Sequence, residues 1–212
     1  MRRLAIVTVV TLALVSAACI KRDSAATWYV DSAGRVTWSI LERDVRSDAA
    51  ARVDRETEEQ QYLFAVRSQT HGAAHGLKRL GAAGLKVSIL QDKAPFTVLT
   101  EGAFPGLGEM GTRLITQFRL SGTSVVVRDG DTWTWTMTLS DPNASSGDTA
   151  DDEDLVALMG DRLTVALSEG RFLSATGFAL DDEGRIATLN SDDKLKADEN
   201  GMLTIGLCWE IK

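Results

Sequence analysis

Hydrophobic and polar positions alternate with a period of two over much of this chain and switch to helical spacing in a few places. Thr27–Asp31 and Arg35–Leu41 flank Ser32-Ala33-Gly34. Trp28 and Val30 fall on one face, as do Val36, Trp38 and Ile40, which predicts a half-buried hairpin. From Ser47 or Asp48, either of which can cap a helix, to about Gln69 the chain is rich in Ala, Glu, Gln and Arg and lacks Gly and Pro. Val53, Tyr62, Leu63 and Val66 give this segment a thin apolar stripe, and it predicts the longest helix. A shorter helical segment, His71–Leu80, stops at Gly81. Leu85–Leu90 and Pro95–Thr100 predict a second strand pair, and Leu107–Phe118 a further helix. Thr123–Arg128 and Thr132–Leu139 form a hairpin across Asp129-Gly130-Asp131. A polar loop, Asp141–Thr149, leads into a short helix from Asp151 to Met159. Strands follow at Leu163–Ser168, Phe172–Leu180, Arg185–Leu189 and Met202–Ile211.

Hairpins interleaved with helices predict an α+β fold: a largely antiparallel sheet with one long helix and two or three shorter ones packed on it. No internal repeat breaks this pattern. Residues 27–212 are expected to form one domain, with 141–154 as the best place for a sub-domain boundary.

The chain start follows a different rule. Met1, Arg2 and Arg3 form a short positive segment, and Leu4–Val15 an apolar run shorter than the roughly twenty residues a helix needs to cross a bilayer. Ser16, Ala17 and Ala18 then lead into Cys19, the order of an export signal. Val15-Ser16-Ala17-Ala18-Cys19 resembles the lipobox of bacterial lipoproteins, with Ser16 where leucine is usual. The resemblance implies that Cys19 receives a diacylglyceryl group, that residues 1–18 are removed, and that the new amino group is acylated. Cys19 would then hold the protein to a membrane by two or three acyl chains, enough for stable attachment. By the same family analogy, Ile20 after the cysteine favours the outer membrane. Residues 19–26, with Lys21-Arg22-Asp23-Ser24-Ala25-Ala26, are expected to be a lipidated tether that holds the folded domain off the surface. The strand-rich tail, in which a polar hairpin follows Phe172–Leu180, also resembles domains of other envelope lipoproteins.

Composition narrows the function classes. The chain of 212 residues carries 23 basic and 30 acidic side chains, a net charge of −7. Such a balance excludes wholesale disorder and argues against nucleic acid as a partner, because duplex binding rests on lysine and arginine meeting phosphates. Loss of Arg2 and Arg3 with the signal moves the net charge to −9. Two cysteines, Cys19 and Cys208, could pair in an oxidising compartment; lipidation of Cys19 leaves Cys208 as a buried, inert thiol.

Candidate chemistry is sparse, and no cofactor is implied. His71 and His75 stand at i and i+4, where two imidazoles can share a helix face, and are the only candidate metal ligands. Gly72-Ala73-Ala74 between them supplies no glutamate for a metalloprotease motif. Asp141–Gly147 opens like a calcium loop but has Ser146 at position six and Asp152 at position twelve, where an EF-hand needs glycine and glutamate. Gly106-Leu107-Gly108-Glu109-Met110-Gly111 has the Gly-x-Gly-x-x-Gly spacing, but it follows a hairpin strand rather than a parallel crossover. Thr132–Leu139 places Trp133, Trp135, Met137 and Leu139 on one face, as a core strand or as a stacking platform for sugar or lipid. No serine-nucleophile motif occurs.

These features lead to an exported, lipid-anchored envelope protein, non-enzymatic, whose domain binds a protein or other ligand. One alternative is an envelope hydrolase or metal enzyme using His71 and His75 with acids from 141–154. Another is a lipid carrier with an apolar pocket lined by Trp133, Trp135 or Phe96.

Overall fold

A computed structural model of the chain describes residues 20–140, 162–189, 198, 199 and 201–211. The elements in order are β1 (Ile20–Val30), β2 (Val36–Ser47), α1 (Arg52–Arg67), α2 (Gly72–Arg79), β3 (Ala83–Gln91), β4 (Phe96–Phe104), α3 (Leu107–Gln117), β5 (Gly122–Asp129), β6 (Thr132–Ser140), β7 (Arg162–Leu167), β8 (Arg171–Thr176), β9 (Phe178–Leu180), β10 (Ile186–Leu189) and β11 (Met202–Glu210). The predicted hairpins β1–β2, β3–β4 and β5–β6 all form. The calcium-loop candidate and the helix expected at 151–159 lie outside the described residues.

The expected α+β arrangement is overturned. The molecule is mostly β, built from two sheets rather than one sheet layered with helices. A seven-stranded sheet has the order β3-β4-β2-β1-β7-β10-β9, and a four-stranded sheet the order β5-β6-β11-β8. β1 and β7 run parallel, Trp28 beside Val165, and their Thr27 and Thr164 hydroxyls share a 3.0 Å hydrogen bond. Every other recorded pairing is antiparallel. Alternation along a strand reports which face is buried and a tight turn reports its local partner. Neither reports a partner more than a hundred residues away, so the division into two sheets left no local mark.

Two further boundaries differ from expectation. α1 begins at Arg52, not at Ser47 or Asp48, because Ser47 completes β2 opposite Ile20. Its hydroxyl instead donates to Glu58 of α1. The tail segment Phe172–Leu180 is two strands: at Gly177 (φ 77°) the chain leaves the small sheet, where β8 pairs with β11, and enters the large one, where β9 pairs with β10. A positive φ costs glycine little, which is why the corner falls there.

The two sheets share one core. Trp28, Trp38 and Trp135 are fully buried and meet edge to face, Trp28 lying 5.2 Å from Trp38 and 5.9 Å from Trp135 between ring centres. Val30, Val36, Ile40, Val165, Ile205 and Leu207 pack around them, and Leu107, Met110 and Leu114 of α3 close one side. A second, smaller cluster lies under α1. There Tyr62, Leu63 and Val66 meet Val45, Phe96 and Val98, with Ile20, Val87 and Ile89 at its edge.

Candidate functional site

Three places concentrate polar or exposed groups. They are distributed along β1, whose 11 residues, at about 3.3 Å each, carry the chain roughly 30 Å across the molecule.

At the starting end, the segment expected to be a loose tether is strand. Ile20 lies opposite Ser47 and Lys21 opposite Arg46, and the pairing with β2 continues to Val30–Val36 through one irregularity between Lys21 and Asp23. The Lys21 ammonium is 3.4 Å from Asp48. Its polarity reads as a tether because alternation there is masked: Lys21, Arg22 and Asp23 are all exposed, although backbone pairing with β2 and the ion pairs of Lys21 and Arg22 hold the segment.

One step further in, under α1, lies a buried polar cluster. Glu42, 2% exposed, accepts from the Tyr62 hydroxyl at 3.2 Å and sits 3.1 Å from the Arg22 guanidinium. His71 Nε2 is 3.0 Å from the hydroxyl of Thr100, which is wholly buried, and 3.6 Å from Glu42. Burial pushes the Glu42 carboxyl above the usual carboxylate range, with Arg22 and the Tyr62 hydroxyl partly opposing it. Burial, followed by the charge of Arg22, lowers His71 to about 4, so the imidazole is neutral at pH 7. Burial and the neighbouring Glu42 raise Tyr62. Every group here except Arg22 is closed off from solvent, so the arrangement suits a hydrogen-bonded structural insert rather than chemistry on a substrate.

The candidate histidine pair does not share a helix face. His71 is the N-cap of α2 with an extended backbone (ψ 161°), outside the helical geometry that would align it with position i+4. Its ring turns inward to Thr100, while His75 is exposed. Among the described residues no group of three His, Cys, Asp or Glu side chains is placed to hold a metal. The acids of 141–154 lie outside the described residues.

Sequence reasoning missed Glu42, Tyr62, Thr100 and Arg22. A signal for two of them was present. Glu42 continues the inward positions Val36, Trp38 and Ile40, and Thr100 continues Phe96 and Val98, so each is a polar residue where the alternation demands a core side chain.

At the far end of β1, the β1–β2 turn, the start of α3 and the small sheet enclose a cleft of about 310 Å³ lined by Gly34, Gly106, Glu109, Val126, Trp133 and Trp209, among others. Arg128, Trp133, Trp209 and Phe172 form a row across four strands. The two indoles stack, 5.9 Å apart and 9° from parallel, and the Arg128 guanidinium lies 4.8 Å from the Trp133 ring centre. With Trp209 and Arg128 against its ring, Trp133 is not the open platform a sugar would stack on. Trp135 is in the filled core and Phe96 in the cluster under α1, so the pocket expected of a lipid carrier does not unite these residues. The Trp133 and Trp209 Nε1 atoms are buried without a hydrogen-bond partner and do not open into the cleft; the first turn of α3, with Gly106 at its N-cap, has no side-chain cap.

The glycine spacing at 106–111 has a packing explanation. A Cβ on Gly111 would collide with Ser124 of β5 and one on Gly108 would press on Val126, so these glycines let α3 approach the small sheet. The preceding strand, β4, is antiparallel to both its neighbours, unlike the strand of a dinucleotide-binding crossover.

Cys208 is half-buried rather than buried, and its sulfur accepts from the Thr134 hydroxyl at 3.6 Å. It neighbours Trp209 at the cleft, whereas Ile20, bonded to Cys19, packs in the cluster under α1. Cys19, the other cysteine, lies outside the described residues.

No family model matches the chain, and no curated protein does. Solved structures give four matching chains. The folded domain of the Mycobacterium tuberculosis LppM protein, determined by NMR, is 9% identical over 90% of each chain with a TM-score of 0.38. The zebrafish Fcho1 mu homology domain with bound Eps15 peptide is 12% identical, covering 91% of this chain and 80% of that one, with a TM-score of 0.20. At these TM-scores neither likeness bears on the fold or the function.

Proposed function

We propose that the protein is a non-enzymatic lipoprotein of the bacterial envelope, exported and held to a membrane through acyl chains on Cys19, and that its β-rich domain binds a ligand at the end remote from that anchor. The observation that carries this reading is the course of β1. The strand begins at the residue after the lipobox cysteine and ends at the turn that walls the Trp133–Trp209 cleft. No helix among the described residues is long and apolar enough to cross a membrane, so lipid on Cys19 is the attachment this reading relies on. The uncapped start of α3 at the cleft leaves backbone N–H groups that suit a ligand rich in hydrogen-bond acceptors.

Two measurements test the reading. Cells fed labelled palmitate incorporate it into the protein, and Cys19→Ser abolishes incorporation; labelling that survives the substitution overturns the anchor. In nitrogen-15 spectra, inorganic phosphate or a neutral disaccharide shifts the Trp133 and Trp209 indole signals and leaves those of Trp28 and Trp38 in place. A cleft signal that stays fixed with both probes removes the cleft as the ligand site for this chemistry.

A further inference from the structure

We infer that α1 is the membrane-facing element of the anchored protein, with Val53 and Phe64 on its outer side set into the boundary between lipid headgroups and acyl chains. This deepens the lipid-anchor reading and rests on it.

The first part of the inference is chain length. Consecutive Cα atoms are 3.8 Å apart, so an acylated Cys19 holds Ile20 within one residue and a glyceryl thioether of the bilayer. Ile20 is fixed twice, by pairing with Ser47 and by packing at the edge of the cluster formed with Tyr62, Leu63 and Val66 of α1. β2 is tied to α1 at the same end: the Ser47 backbone N–H donates to Glu59 at 3.3 Å and the Ser47 hydroxyl to Glu58. An anchor at Cys19 therefore brings α1 to the lipid surface with it, instead of holding the domain off on a tether.

The second part is the chemistry of the surface so presented. Phe64 is 73% exposed and Val53 66%, the two most exposed large hydrophobic side chains among the described residues. They share a shallow groove with Glu56, Thr57, Gln60 and Gln61. In a chain with 30 acidic side chains, Glu56 is the one charge lining this groove, and it pairs with Arg52 at 3.1 Å. Beside the anchor the exposed bases Lys21, Arg43 and Arg46 are interleaved with the exposed acids Asp23, Asp44 and Asp48, of which Asp48 lies 3.4 Å from Lys21. With acyl chains on Cys19 supplying most of the attachment, the Val53 and Phe64 side chains need only reach the headgroup–acyl boundary, where leaving water favours them.

The test uses the full lipidated protein, carrying Cys208→Ser and Gln60→Cys labelled with an environment-sensitive dye, in vesicles of phosphatidylethanolamine and phosphatidylglycerol. Nitroxide lipids labelled near the headgroup are expected to quench this dye several-fold more than a dye on Asp182→Cys, in the β9–β10 turn at the far end. Adding Val53→Asp and Phe64→Asp, both solvent-exposed and so compatible with folding, is expected to remove the difference. Palmitate incorporation is measured on the same variants. Normal incorporation with equal quenching at both dyes overturns the inference and leaves the anchor standing. Shielding of the Gln60 dye from water without lipid quenching also overturns it and assigns the face to a protein partner, or to a second copy if shielding falls on dilution. Absence of palmitate overturns the anchor and, with it, the membrane placement of α1.

Discussion

The core between the two sheets and the cluster under α1 are built on opposite plans. The first is apolar and thick: Trp28, Trp38 and Trp135 interlock at its centre, strands from both sheets contribute, and its only demand is that the shapes fit. The second is thin and mixed. Six buried hydrophobic residues share it with Glu42, His71 and Thr100, and a single helix separates it from the outside. The difference teaches that stability and sensitivity are held in separate halves of the molecule. The large core carries the fold, while the α1 end contains the groups whose ionisation and exposure respond to conditions.

Truncating the centre of each part is the harshest way to break this contrast. Trp135→Ala is expected to cost about 3–5 kcal/mol, from lost burial and the cavity left behind, a large share of an ordinary protein's stability. Leu63→Ala, beside the helix surface, is expected at the low end of the range for such changes, about 2 kcal/mol. Urea unfolding of the two variants compares them directly, and equal losses would deny that the parts differ.

Acidity sharpens the contrast. The folded protein keeps His71 neutral down to about pH 4, whereas the unfolded chain protonates it near 6.5. The unfolded state thus binds more protons between these values, and the contribution of neutral His71 to stability, complete above pH 6.5, is lost as pH falls toward 4. His71→Gln is expected to flatten the dependence of unfolding free energy on pH in that window, and an unchanged slope would show that another group is responsible.

Glu42 acts with the opposite sign. Its raised folded pKa means that the wild type loses stability as pH rises above the ordinary carboxylate range. The stability of Glu42→Gln relative to wild type is therefore expected to improve from pH 4 to pH 8, read from the same urea curves; a constant difference contradicts the assigned burial effect. The smallest effect is expected at Phe64→Ser, whose side chain is 73% exposed. In the absence of a membrane it should change unfolding free energy by no more than about 0.5 kcal/mol.

Much of the large core was legible from alternation. The Trp28/Val30 and Val36/Trp38/Ile40 faces are buried as their spacing requires, and the Trp133–Leu139 strand turns Trp135 and Met137 inward. What alternation could not carry was partnership at long range: the parallel β1–β7 pair, the insertion of β11 between β6 and β8, and the change of sheet at Gly177. The polar cluster was hidden for a related reason. Its members come from β1, β2, α1, α2 and β4, and only folding brings Arg22, Glu42, Tyr62, His71 and Thr100 together. The i, i+4 histidines share no helix face because the spacing rule holds only when both residues are inside the helix, and His71 caps it.

The central claim is that the molecule stands on its α1 end with the tryptophan cleft directed away from the bilayer. Energy transfer from a dye on Ala33→Cys, in the β1–β2 turn, to acceptor lipids tests this most directly in the lipidated Cys208→Ser protein on vesicles. This orientation predicts near-contact with lipid for a dye on Gln60→Cys and clearly weaker transfer from the dye on Ala33→Cys. Equal transfer from the two positions, or stronger transfer from Ala33, would contradict it.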